Sequence, residues 1–294
     1  MYLLIGRYII YQEIDNRKGV MKYNSLKTQL HFIKNESTNV PVVNYSGHNE
    51  SQGYSDDYIY HETEIIDARV EKEITPASLD KEAFELVNFT PAEVDYLDTG
   101  VVKNTYYSEV EALVKKQTGA SEVFVFDHTV RRGIKNSNRQ PAYHVHNDYT
   151  FKTGNSRALS ILGEDVLKRF SGKRMIQINV WRSIDGIVEK DPLALMDAAT
   201  LDNKDLVKTN IEFNDMNTGE QHSGEIFALK KNPAQKWYYY PAMNDSEAIL
   251  IKGFDTDDSR SCFAMHTAFP LPNQGEQNKP RQSIETRTYA FFDE

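Results

Sequence analysis

Apolar residues along this chain recur with two different periods, and the change between them orders the elements it predicts. Up to about residue 45 they come in short alternating runs, such as Tyr8-Ile9-Ile10-Tyr11 and Leu30-His31-Phe32-Ile33, which read as strands. Residues 44–57, mostly Asn, Ser, Gly, Asp and Tyr, read as a long polar loop. Helix signals follow. Thr90-Pro91-Ala92-Glu93 offers an N-cap, a proline at the first helical position and a carboxylate at the third. Ser108-Glu109-Val110-Glu111 repeats the capping-box pattern, and Val110, Leu113 and Val114 then form an apolar stripe suited to core packing. From Val123-Phe124-Val125-Phe126 onward the character is β, with strands expected at 142–148, 175–182, 223–230, 236–241, 247–252, 261–267 and 283–292. A helix is expected near 156–170 and a short helical piece near 193–199. Gly, Asn, Asp and Pro punctuate the strands at spacings typical of a sandwich or barrel. No internal repeat or low-complexity segment interrupts them.

Composition narrows the possibilities. A chain of 294 residues is long enough to bury a real core, and all-β barrels of this length are commonly single domains. A formal net charge of −9 argues against a nucleic-acid partner, because phosphate binding needs a basic face. The densest basic cluster, Val130-Arg131-Arg132-Gly133-Ile134-Lys135, is short. The single cysteine, Cys262, excludes an intramolecular disulfide and a cysteine-based zinc site. The stretch from Met1 to Tyr11 is broken by Arg7 and lacks the charged and cleavage regions of a signal peptide. No apolar run approaches the roughly 20 residues needed to span a membrane. The expectation is a soluble cytoplasmic protein.

The candidate chemistry lies in Tyr143-His144-Val145-His146-Asn147-Asp148-Tyr149. On a strand, His146 and Asp148 point to the same face. With a third ligand from a distant strand they would present two imidazoles and one carboxylate to one side of a metal, the donor set of non-haem Fe(II) oxygenases. His266 is the third candidate, because it ends the β-like run Ser261-Cys262-Phe263-Ala264-Met265. His222 competes less well, following a turn-like Asn217-Thr218-Gly219-Glu220-Gln221. The plainer alternative is that His146 and Asp148 hydrogen-bond in a turn. Arg281, Ser283, Glu285 and Arg287 share one face of the last strand by period two. Two arginines there fit a planar dicarboxylate, which a guanidinium binds through paired hydrogen bonds. They also fit a structural ion-pair ladder through Glu285.

Arg281-Gln282-Ser283 resembles the 2-oxoglutarate anchor of the penicillin-synthase-like oxygenases, and the spacing of Arg281 and Arg287 is similar to that of the alkylation-repair dioxygenases. Most of the C-terminal two-thirds resembles the cephem-methoxylase-component/gibberellin-desaturase-like (AsaB-like) hydroxylases and desaturases. The resemblance is carried by Phe126-Asp127-His128-Thr129-Val130-Arg131, Val145-His146-Asn147-Asp148-Tyr149, Asn179-Val180-Trp181-Arg182 and Pro192-Leu193-Ala194-Leu195-Met196-Asp197. It continues through Asn232-Pro233 with Trp237-Tyr238-Tyr239-Tyr240-Pro241, His266-Thr267-Ala268-Phe269, and Pro280 to Arg287. The family's Trp-Arg-Pro stands here as Trp181-Arg182-Ser183.

The resemblance implies an α+β, mainly β fold: a double-stranded β-helix (jelly-roll) core with flanking helices. It implies a single oxygenase domain, with support elements in 1–120 and the core in 121–294. His146, Asp148 and His266 would be the catalytic iron ligands, with 2-oxoglutarate and O2 as cosubstrates. Arg281 would grip the distal carboxylate, and Arg287 would contact the cosubstrate or hold its neighbours. Ser283 and Asn179 join the cosubstrate side, and Tyr149 and Arg182 are substrate candidates, although Arg182, on the opposite face of its strand from Asn179, equally fits a salt-bridged structural residue. His144 and His128 are weaker ligands, His128 reading as a buried, hydrogen-bonded histidine. Trp237 and its tyrosines read as a core strand with one wet face. The implied activity is hydroxylation or desaturation of a small metabolite, in natural-product biosynthesis. Two other readings stay open: a non-catalytic β-roll partner of a tailoring enzyme such as a methyltransferase, and a cosubstrate-free metal enzyme. Substrate identity and oligomeric state are not legible in the residues.

Overall fold

In a computed structural model the described residues are 3–293 without 6–7, 15–20, 37–41, 45–56, 74, 136, 138 and 215–220. The expected polar loop therefore lies almost wholly outside them. The N-terminal strands are β1 (Leu3–Ile5), β2 (Tyr8–Ile14), β3 (Met21–Ile33), β4 (Val42–Asn44), β5 (Tyr58–Asp67) and β6 (Phe84–Asn88). Then come β7 (Glu122–Arg132), β8 (His146–Asn147), β9 (Met175–Ser183), β10 (Leu193–Met196) and β11 (Leu206–Asn214). The last are β12 (Gln221–Leu229), β13 (Trp237–Tyr239), β14 (Glu247–Asp255), β15 (His266–Ala268) and β16 (Gln282–Phe291). They form two sheets, ordered β1-β2-β3-β5-β13-β10-β15-β8-β12-β11-β4 and β6-β14-β9-β16-β7.

Alternation along β9 explains how the sheets are layered. Ile176, Ile178 and Val180 face outward, against Val102, Tyr106, Val110 and Val114 of a covering helix. Met175 and Trp181 face inward, into two apolar clusters shared with the larger sheet. Between them the inward positions are polar: Gln177 and Asn179, both fully buried. This interruption marks the site.

The helices are α1 (Ala68–Glu71), α2 (Thr99–Val101), α3 (Tyr107–Thr118) and α4 (Phe151–Arg169), with a π-helical turn, Val102–Tyr106, joining α2 to α3. The expected start at Thr90 is displaced to Asp98, whose Oδ1 accepts from Gly100 N and Val101 N at 2.8 and 3.1 Å. The Thr90-Pro91-Ala92 segment stays irregular, and Glu109 holds it by accepting from Ala92 N. Ser108 is thus inside a continuous helix and donates back to Thr105 O. The apolar stripe is as expected, with Val110 and Val114 fully buried.

The expected helical piece at 193–199 is instead β10 followed by a 3-10 turn, Ala198–Thr200. β10 is buried on both faces, with Leu193 and Leu195 in one cluster and Ala194 and Met196 in another, which erases its alternation. Trp237 and its tyrosines are likewise buried on both faces, so the expected wet face is absent. The strands expected at 142–148 and 261–267 shorten to β8 and β15.

Candidate metal centre

β8 and β15 pair antiparallel, with His146 directly opposite His266. Asp148 follows immediately after β8. Asn147, pointing the other way, donates its amide to Tyr149 O at 2.8 Å and Gly253 O at 2.9 Å, which ties this turn to β14. Gly253 leaves room for Gln177, since a Cβ there would lie 2.2 Å from Gln177 Oε1 and the amide would have to shift. The result brings one ligand atom each of His146, Asp148 and His266 within 4.8 Å of one another.

The protonation pattern of this trio is set by its hydrogen bonds. His146 Nδ1 lies 2.8 Å from His144 O, and His266 Nδ1 lies 2.8 Å from Ala264 O. A carbonyl only accepts, so each Nδ1 carries a proton, and in the neutral ring the lone pair is on Nε2. Burial, with the neighbouring His266 ring, pushes the His146 pKa down to about 3. Burial alone would raise the Asp148 carboxyl, but Arg287, the two histidines and the Asn179 amide hold it well below the usual range. His146 Nε2 therefore faces Asp148 Oδ1 at 3.6 Å as acceptor against acceptor. A cation between them makes that arrangement favourable, and two imidazoles with one carboxylate suit iron. The donor set fits the metal.

Around Asp148 the second oxygen is occupied. Asn179 Nδ2 donates to Oδ2 at 2.8 Å and Arg287 Nε to the same atom at 3.2 Å, leaving Oδ1 turned toward His146. Arg287 also pairs with Asp127 at 3.1 Å and Glu285 at 2.6 Å, and donates to Thr129. It holds these neighbours in place. Asn179 turns out to be bound to the ligand carboxylate. Arg281 is outside this ladder. It is buried, donates to Asp191 O, and lies over the Trp181 ring at 5.5 Å. Burial lowers its pKa to about 10. Its Nε and the buried Ser283 Oγ have no hydrogen-bond partner among the described residues. Unmatched polar atoms at this depth fit a carboxylate ligand. The ion-pair ladder forms at the Arg287 end of this face, and Arg281 takes no part in it.

A cavity of about 660 Å³ reaches His146 and Asp148 and is bordered by Tyr107, Phe126, His128 and Tyr149. Tyr149 is where a substrate residue was expected. Arg182 is not: it sits on the outer face of β9, bonded to Tyr96 Oη and Asp245 O and stacked near Phe89. Its candidacy as a substrate residue is corrected on that ground. His128 lies half-buried, its Nδ1 2.8 Å from Tyr107 Oη. His144 stacks on His146 at 4.4 Å and orients it through its carbonyl, outside the ligand trio. The His222 side chain lies outside the described residues. Asp127 and Thr129 were missed as site residues, although their period-two spacing places both opposite the arginine strand.

A domain model described as an oxidoreductase/YMDC permease-like domain matches residues 30–291. The alpha-ketoglutarate-dependent dioxygenase phiK of Fungal sp. (strain ATCC 74256) is 31% identical over 226 residues, 73% of this chain and 79% of that protein. The chain belongs to the Fe(II)/2-oxoglutarate-dependent oxygenases. The hydroxylase/desaturase efuI of Hormonema carpetanum is 30% identical over 240 residues, 74% of this chain and 79% of that protein. Among solved structures, a variant of the iron and alpha-ketoglutarate-dependent endoperoxidase NvfI matches with a TM-score of 0.79 at 25% identity, covering 92% of this chain and 98% of that one. The oxygenase is therefore an enzyme that uses Fe(II) and 2-oxoglutarate, which sets aside the non-catalytic partner and the cosubstrate-free metal enzyme. None of its described helices is long and apolar enough to cross a membrane.

Proposed function

We propose that His146, Asp148 and His266 hold the iron of a hydroxylase or desaturase that acts on a small metabolite of natural-product biosynthesis. The observation that carries this is the facing of two acceptors, His146 Nε2 and Asp148 Oδ1, with both Nδ1 protons committed to backbone carbonyls. Bound together, iron and 2-oxoglutarate supply O2 activation, with release of succinate and CO2. The protein's own residues supply geometry. Asn179 and Arg287 fix the Asp148 carboxylate and keep it ionised. Arg281 and Ser283 receive the distal carboxylate of 2-oxoglutarate through the polar atoms left unmatched in the protein, with Trp181 beneath the guanidinium. Tyr149 borders the substrate.

The two facing sheets are read as the walls of a double-stranded β-helix in a single oxygenase domain spanning 1–294. The finer kinship is with the cephem-methoxylase-component/gibberellin-desaturase-like enzymes, in a cytoplasmic protein without a nucleic-acid partner. The test is metal analysis with succinate assay. Wild-type protein retains equimolar iron and releases succinate from 2-oxoglutarate, and Asp148→Ala does neither. Full iron binding and turnover in Asp148→Ala contradicts the assignment.

A further inference from the structure

The cavity that reaches the iron ligands is more basic than the chain around it. Five cationic side chains border it against three carboxylates, in a protein of net charge −9. Those carboxylates are already engaged: Asp127 and Asp148 by Arg287, and Glu225 by the Thr150 hydroxyl at 2.7 Å. Two of the cations are different. Lys103, on the π-helical turn, and Arg157, on α4, are exposed at the cavity's edge, and neither makes a hydrogen bond or an ion pair among the described residues. Burial lowers His128 and raises Tyr289, and the charges of Lys103 and Arg157 reach inward to add to the first and oppose the second.

The faces that carry them are not core faces. Thr99, Lys103 and Tyr107 recur every four residues, and Thr153, Ser156, Arg157 and Ser160 line one side of α4. A helix face that only packs against a sheet is apolar, as Val110 and Val114 of α3 are. Deeper in, the lining includes Phe126, Tyr149 and Ile226. The volume, about 660 Å³, lies within the range that holds a small organic ligand. A lining that mixes these apolar side chains with unpaired cations at its edge suits a ligand with an apolar part and an anionic end.

Resting on the iron-site reading above, we propose that the substrate carries an anionic oxygen group, carboxylate or phosphate monoester, which docks on Lys103 and Arg157. The experiment uses the full chain loaded anaerobically with Fe(II) and 2-oxoglutarate. It is titrated by calorimetry with a panel of aryl-alkyl carboxylic acids, their primary amides and the matching phosphate monoesters. Acids or phosphates bind about tenfold or more tightly than the amides, as a charge-assisted contact requires. The preferred group identifies which anion is used. Lys103→Gln and Arg157→Gln remove the preference and leave 2-oxoglutarate binding unchanged. Equal binding of acid, phosphate and amide overturns the proposal, as does failure of every anion to bind. Weakened 2-oxoglutarate binding in these variants assigns the cations to the cosubstrate and overturns it too. If 2-oxoglutarate gives no charge-transfer band with the iron, the iron-site reading fails and takes this proposal with it. A band with no anion preference sinks this proposal alone.

Discussion

Arg281, just before β16, and Arg287, within it, meet different partners, and substitutions separate them. Arg287→Lys keeps the charge but not the fork that reaches Asp148, Asp127 and Glu285 together. Fe(II) affinity is expected to fall about tenfold to a hundredfold, as when other residues supporting a metal ligand are altered. Arg281→Lys is expected to leave Fe(II) affinity unchanged and to weaken 2-oxoglutarate about tenfold or more, through loss of the paired hydrogen bonds. Anaerobic titration of each variant with metal, then with cosubstrate, measures both. Equal effects of the two substitutions on iron would contradict the division. The shared face was legible from period two alone. Its division was not, because the Arg287–Asp127 pair joins residues 160 positions apart and depends on the register of β16 against β7. The ligand trio itself was legible, since H-x-D is local and His266 ends a strand-like run. The orienting carbonyls of His144 and Ala264 carry no side-chain signature.

At the scale of elements, the strands expected at 175–182, 223–230, 247–252 and 283–292 and the helix near 156–170 match β9, β12, β14, β16 and α4, whereas β5 and β11 were not anticipated and β10 was read as helix. β10 lost its alternation because both of its faces are core. β8 and β15 are only two and three residues long, too short for a period to show. The displaced helix start gives a direct check. Asp98→Ala is expected to cost about 1 kcal/mol of stability as a lost N-cap. Thr90→Ala, outside any helix, is expected to cost little, and chemical denaturation distinguishes the two. The Thr150 capping box at the start of α4 sets that helix against the site. Further along, Gly154 is required for close approach, because a Cβ there would lie 2.4 Å from the Phe254 ring. Gly154→Ala is expected to destabilise the fold by about 1–3 kcal/mol through overpacking. A wild-type unfolding midpoint in that variant would show that α4 sits further from β14.

For the whole molecule, charge on the outside of the small sheet is arranged for stability rather than for chemistry. Burial alone would raise Asp80 and Glu82, but Lys252 and Arg174 lower the first, and Lys72 with the Ser78 amide lowers the second. Both carboxyls are thus depressed in the folded state relative to the unfolded value of about 4. Their contribution is fully present above that value and is lost as pH falls through the folded pKa values. The urea midpoint is expected to be insensitive to these groups above about pH 5 and to fall below about pH 4. Replacing both by their amides should flatten that fall. An unchanged profile in the double variant would contradict the assignment. The overall plan, mainly β sheets with a few helices, was legible from turn spacing and from family resemblance. The sheet order was not, since β8 and β15 become neighbours only when the chain closes.

The central claim is that His146, Asp148 and His266 hold iron beside a 2-oxoglutarate anchor at Arg281. Anaerobic titration of the Fe(II)-loaded protein with 2-oxoglutarate tests it most directly, through the weak visible metal-to-ligand charge-transfer band. The expected result is a saturable band in the wild type. It is absent in His146→Ala and needs about tenfold or more 2-oxoglutarate in Arg281→Lys. Bound iron that gives no band at saturating 2-oxoglutarate, or a band that survives His146→Ala, would contradict the account.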